Sequence, residues 1–581
     1  MIQYRHLTES EIAQLKNNGN RSHDWQQIQI AQDADESDIA KIWDNCFAGQ
    51  VSFGRRCCIS NVRMLSGYVI GNDCNLVNIG EMTAEALPID RRPRIEAMNE
   101  NGGRSFVPFV GMTVGDAYMW ARYRGHSKFV ERLESFTEAA LDGSNGYGMV
   151  GDGATIKNTQ LVRNVAVRST VEDPSTVDTC IALTDGVIGF GCHLEYGIIA
   201  ARFLLGEHVH LEFGLRLNDA VVGDNSTLAR CEVGNSIIFP AHEQHHNNSF
   251  LIAGLIMGQS NVAAGGTIGS NHNSRTADNE LVGGRGFWPG LCCSFKHSSQ
   301  FASYCLLSKA DYPNELNITL PFALVNNNVS KDQLEVMPGY WWMYNMYALD
   351  RCSKKFAKRD KRRYKAQHVE FDNLAPDTAE ELIIGRMLLR EWTEEAYTRA
   401  RNTGEAPEIL AHGMEHSKRK TVVLKAAKGY QAYEDMLVHY AMKTLEAEYG
   451  ENLPPAALGE GVRIQKWVNI GGQIVSQADM EALIAAVEGG KLNSWDDVNS
   501  WLDSLWANYP AQKVRHAYQT LCWLAKSPVI DESQWNAYRG RHVEIERFIA
   551  DQIRVTRHKD DVNPFRNMTY WDSAERDAVL G

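Results

Sequence analysis

The twelve cysteines form no C-x-x-C pair. Two adjacent pairs occur, Cys57-Cys58 and Cys292-Cys293, and Cys74, Cys192 and Cys231 sit on apolar or repeated positions. Buried, reduced thiols fit this usage better than a disulfide framework, so a cytoplasmic location is expected. No run of 18 apolar residues is present, which excludes a helical membrane span. The opening residues Met1-Ile-Gln-Tyr-Arg-His lack the apolar core of a signal peptide. There is no basic excess either. A net charge of −13 argues against general nucleic-acid binding.

What is present is a repeat. Ile188-Gly-Phe-Gly-Cys192-His-Leu194, Leu205-Gly-Glu-His-Val209-His-Leu211 and Val222-Gly-Asp-Asn-Ser226-Thr-Leu228 start 17 residues apart. Each has an aliphatic, a glycine, two free positions, a small residue, a free position and a leucine. The line recurs at Val150–Ile156 and Ile70–Leu76. A fixed period of this kind means stacked coils, because one coil cannot bury its apolar face alone. Short strands on the sides of a triangular prism satisfy it, with the aliphatic inside, the glycine at a tight corner and the small residue inside. Cys192, Val209 and Ser226 are therefore expected to be buried. His193 and His210 hold the same outward position one coil apart, so their rings should stack at about 4.8 Å.

The remaining chain reads as follows. With 581 residues, 44% apolar and 23% charged, it can hold two to four domains of ordinary globular composition. Residues 1–50 form an N-terminal cap, with a short helix opened by Thr8 and acidic residues in its first turn. The prism spans 51–339 and is interrupted by a loop and helix insertion over 83–147. In that insertion Trp120, Tyr123, Phe129, Leu133 and Phe136 fall at roughly helical spacing, and Arg104 is a candidate site residue. Two stretches depart from the repeat: Pro240-Ala-His-Glu-Gln-His-His, expected to leave the prism as a loop, and Gly283–Gly290, expected to be an exposed turn. A helical extension covers 340–452. It carries nine basic residues between Arg351 and Lys365, read as a solvated face or one that meets acidic neighbours, or else as a phosphate site for a nucleotide-like cofactor. Two long helices fill 377–450. A small helical domain follows over 453–581, with Ser476 and Ser494 as N-caps and a packing or oligomerisation role.

The coil lines resemble the hexapeptide repeat of the trimeric left-handed β-helix proteins, the acyltransferase-like superfamily. Asn261-Val-Ala-Ala-Gly-Gly-Thr267-Ile-Gly-Ser-Asn271 is similar to a stretch in the acetyltransferase half of bacterial N-acetylglucosamine-1-phosphate uridyltransferases, and the resemblance covers about residues 51–325. The chain as a whole also resembles an uncharacterised bacterial family with this β-helix and a helical tail. The resemblance implies a left-handed parallel β-helix, a homotrimer and sites on the outer walls between subunits. No G-x-G-T-R-M-like phosphate loop occurs, so the nucleotidyl-transfer half of those enzymes is not implied.

Three functions are compatible with these residues. The first is acyl transfer from acetyl-CoA or another acyl-CoA to a sugar or nucleotide-sugar. A neutral imidazole would act as base, with His242, His245, His246 and His272 as candidates. Asn271 would hold substrate, and Arg275, Arg285 and Lys296 would face phosphates. The second is a metal enzyme. His-x-x-His-His at 242–246, with His193, His208 or His210, has imidazoles to offer zinc, and the gamma-class carbonic anhydrases of the resembled superfamily bind metal between subunits. The third is a non-catalytic trimeric scaffold or sugar-binding protein.

Overall fold

The computed structural model describes residues 2–142, 148–269, 279–559, 561 and 563–580. It is a parallel β-solenoid of about 16 turns, with a helical insertion and C-terminal helices. Inward positions repeat from coil to coil. Ile59, Leu76, Ile156, Val177, Leu194, Leu211 and Leu228 form one continuous file of fully buried side chains. Cys192, Val209 and Ser226 are buried beside it. The corner glycines serve close approach rather than an unusual φ. A Cβ on Gly206 would fall 2.0 Å from the Asp224 carboxylate. The left-handed residue comes later, at Gly191, His208 and Asn225 of successive coils.

Parallel stacking starts earlier than the repeat suggests. Arg21–Ser22 pairs with Cys46–Phe47, and Ile28–Ala31 with Val51–Phe53. Residues 21–47 therefore already form coil, and only the start of the expected cap, with its Thr8-capped helix Glu9–Asn17, stands outside. This coil keeps inward aliphatics but lacks the glycine and small-residue tags. The 17-residue step is also not kept throughout: Val167 pairs with Ile188, 21 residues on, and Ile238 with Ile256, 18 on. Val222 pairs with Ile238, sixteen residues on, because the corner that holds Phe213-Gly214 in one coil is reduced to Arg230 in the next.

That shorter coil accounts for a correction. Residues 240–244 do not leave the prism. Glu243–Gln244 pairs with Thr227–Leu228, and His242 takes the inward slot above Ser226. Gly283–Gly290 is likewise a coil corner and not an exposed turn, since Phe287 is wholly buried and Arg285 is 2% exposed.

The insertion leaves the solenoid after Glu81–Thr83 and rejoins it at Met149–Val150. Its helices Val114–Arg122 and Ser127–Asp142 lie over one outer wall. The hairpin Trp467–Ile470/Gln473–Ser476 and the helices Gln477–Glu488 and Trp495–Ala525 join them there. Ser476 and Ser494 cap those two helices. The last 130 residues therefore do not make a core of their own. They share one core with the insertion and another with the solenoid end and the helices Pro376–Thr403 and Ala426–Tyr449. No helix among the described residues is long and apolar enough to cross a membrane.

Candidate functional site

One outward register line of the solenoid organises the main cleft. Ala166, Val187, Leu204, Val221, Ile237, Leu255, Val282, Gln300 and Asn317 stand one above another on successive coils. The first six are apolar and buried under the insertion and the C-terminal hairpin. Beyond Leu255 the cover draws away, and the line turns polar at Gln300 and Asn317. A groove of about 580 Å³ opens there. Its floor is this line with Ser303 and Thr319. The helix Pro376–Thr403 forms one side, Tyr118, Arg122 and Tyr123 close one end, and Trp467 and Asn469 reach over it.

The groove holds an unusual carboxyl. Glu381 accepts hydrogen bonds from the Ser303 N–H at 3.0 Å and the Ser303 hydroxyl at 3.2 Å. Burial, and then the carboxylate of Asp377 one helical turn earlier, push Glu381 up to about 7. Asp377 is itself fixed by Arg285, with Nε to Oδ2 at 2.8 Å and Nη2 to Oδ1 at 2.9 Å. Arg285 also donates to the carbonyls of Asp372 and Glu370. Its donors are thus consumed inside the protein, and it orients Asp377 rather than facing a phosphate. A carboxyl that is half ionised at neutral pH, in a cleft, is suited to taking and returning protons. The side-chain amides of Gln300 and Asn317 have no protein hydrogen bond among the described residues, and they face the same space.

The residues expected from sequence fall elsewhere. Arg104 and Arg122 share Glu280, at 2.8 and 3.0 Å, so Arg104 sits behind the groove's end and Arg122 is the member that lines it. His242 is 0% exposed. Its Nδ1 meets the Ser260 hydroxyl at 2.8 Å and its Nε2 the Gln244 amide oxygen at 3.2 Å. Burial depresses it to about 4. Sealed inside the prism, it cannot be a catalytic base. His245 is part-exposed, with Nδ1 3.2 Å from Glu243 Oε2 but off the line of a hydrogen bond, and the exposed His246 ring lies 4.6 Å from it. Lys296 is part-exposed on the coil before Glu315. Asn271, His272 and Arg275 lie outside the described residues.

The histidine wall forms as its spacing requires. His193 and His210 stack at 4.9 Å and 15°, and His208 lies 3.0 Å from Asp173. Yet among the described residues no three His, Cys, Asp or Glu side chains converge to hold a metal ion. The three imidazoles do not fit a zinc site within one chain.

Sequence reasoning missed Glu381, Gln300 and Asn317. The only signal for Glu381 was the doublet Glu380-Glu381 on a helix otherwise apolar at that turn. Its partner Ser303 lies 78 residues earlier.

These features define a class: a covered parallel β-solenoid with a polar groove where the cover ends. The chain belongs to the family described as "Domain of unknown function (DUF4954)", whose sequence profile matches residues 44–393. It is also 38% identical to an "Uncharacterized protein" of Treponema pallidum (strain Nichols), over an alignment of 664 positions that takes in 100% of this chain and 90% of the relative.

Proposed function

We propose that the groove is the active site of an acyltransferase that moves an acyl group from a CoA-type thioester to a sugar or nucleotide-sugar. The observation that carries this is the Glu381 carboxyl at about 7 beside two amides that have no protein partner among the described residues. Gln300 and Asn317 offer donors and acceptors to neighbouring hydroxyls, and Tyr123 and Trp467 offer apolar faces to a sugar ring. The Glu381 carboxylate takes the proton of the acceptor hydroxyl or amine as that group attacks the acyl carbon. The same proton passes to the departing thiolate, so the carboxylate is regenerated. The thioester supplies the activated carbonyl. A groove of 580 Å³ suits a ligand of drug size, and the nucleotide end of a CoA-type donor would lie outside it. Arg122, with 45% of its side chain exposed, is the cation in position to meet phosphate there.

The left-handed winding, the hexapeptide acyltransferase-like ancestry, a homotrimer and a cytoplasmic location belong to the same proposal. They are supported by the repeat, the solenoid and twelve unpaired thiols. The test is thiol release from acetyl-CoA with a panel of sugars and nucleotide-sugars, together with thermal unfolding in each ligand. A ligand at ~100 times its dissociation constant should stabilise the fold by about 2.7 kcal/mol. Glu381→Gln should keep that stabilisation and lose at least ~100-fold of the release. No stabilisation by millimolar acetyl-CoA, or unchanged release in Glu381→Gln, would overturn the proposal. Stabilisation by sugars alone would leave the sugar-binding scaffold.

A further inference from the structure

Two features of the sequence play no part in the groove: the histidine ladder and the basic run over 351–365. The fold brings them together. The helix Met346–Arg359 lies along the nine-strand face of the solenoid, and a cavity of about 310 Å³ remains between them. His208, His210 and Thr227 line it from the solenoid. Phe356, Arg359 and Lys361 line it from the basic segment.

The charges here are unevenly matched. Glu243 is held by Lys355 at 3.1 Å, with Arg359 further off at 3.6 Å and the His245 ring on its other oxygen. Asp360, which could have paired with Lys361, is taken by Arg362 at 2.9 Å. Lys361 has no carboxylate within ion-pair reach among the described residues, and Arg359 is 60% exposed. Glu212 is the one other carboxylate on the lining. Burial, then the neighbouring His193 and Lys361, keep His210 down at about 4, so its ring is neutral and presents one N–H donor. The Thr227 hydroxyl has no protein partner among the described residues and presents another. In a chain of net charge −13, two loosely held cations beside two neutral donors are a receptor for a compact anion.

We propose that this cavity binds the phosphoryl group of a small phosphate ester. Lys361 and Arg359 supply the charge, and His210 and Thr227 supply the hydrogen bonds. A phosphate monoester is close to doubly charged at neutral pH, which suits two cations. Phe356 gives the ester's carbon skeleton an apolar surface. The volume admits a sugar phosphate and is too small for a whole dinucleotide-sized molecule. The site stands on a different face from the groove and does not depend on it.

The experiment is calorimetric titration of the full chain with hexose 6-phosphate, the same hexose without phosphate, and orthophosphate. Hexose 6-phosphate is expected to bind, orthophosphate to compete with it, and the plain hexose to leave this site empty. Lys361→Gln combined with Arg359→Gln should weaken hexose 6-phosphate at least tenfold. Both side chains are on the surface, so the unfolding temperature should not move. Glu381→Gln should leave the binding unchanged, which separates this site from the groove. Absence of binding by both phosphates at millimolar concentration, or equal affinity in the double variant, would overturn the proposal.

Discussion

Replacing Glu381 by Gln should stabilise the protein, and by an amount that depends on pH. The carboxyl is held near 7 in the fold against an ordinary value of 4.5. A folded value raised in this way leaves stability intact below about pH 4.5 and removes it progressively as pH rises through 7. The full displacement corresponds to ~3 kcal/mol, and the groove's water reduces this to ~2 kcal/mol. Glutamine cannot ionise. Its oxygen can accept from Ser303, and its amide can donate toward Asp377, which removes the repulsion between the two carboxylates. Urea unfolding of both proteins from pH 4.5 to 8.5, followed by tryptophan fluorescence, gives the difference directly, because every other titrating group cancels. The advantage of the variant should be near zero at pH 4.5, climb to ~2 kcal/mol by pH 8 and stay level above it. A difference that does not change with pH, or a variant less stable throughout, would refute the argument that Glu381 is a poised acid–base group.

Other outcomes follow from the same kind of reasoning. Arg285→Met leaves the part-buried Asp377 without its partner and should cost ~3 kcal/mol in denaturant unfolding, the low end for a broken buried pair because Asp377 meets the groove, while Arg285→Met with Asp377→Leu should recover much of it. Two histidines, the buried His242 and the part-buried His439, are depressed to about 4 and about 3. Their neutral forms support the fold above the ordinary histidine value of 6.5, and that support is lost as pH falls toward 4. His242 alone then accounts for ~3 kcal/mol of acid lability, to be read as a falling unfolding temperature that His242→Gln flattens.

Much of the solenoid was legible in the sequence, because inward positions are fixed by burial alone. Leu194, Leu211 and Leu228 had to be apolar, and their period shows it. His242 was misread for the same reason. It fills an inward slot with a polar ring satisfied by Ser260 and Gln244, one residue out of the expected phase. Outward positions were not legible. Leu255 and Gln300 stand in one register line, and whether such a position is buried depends on an insertion and a hairpin that lie over a hundred residues away in sequence. The stacking of His193 on His210 followed from spacing, whereas the basic run that meets His210 across the cavity arrives from residues 346–361. Glu381 was hidden in a helix because its character comes from Ser303, Asp377 and the closure of the groove, none of which leaves a local pattern.

The cover also acts as a splint. It is anchored on the register line from Ala166 to Leu255, and the segment beside it holds the hairpin through Gln367 and the coils through Arg362. One extra coil in that interval would slide the solenoid by a strand spacing, about 4.8 Å, past an insertion and a hairpin of fixed length. Lengthening by whole coils, the usual freedom of repeat proteins, is therefore closed to this stretch. Growth is confined to outward corners such as the turn at Thr170–Asp173, which adds four residues to one coil without moving the next.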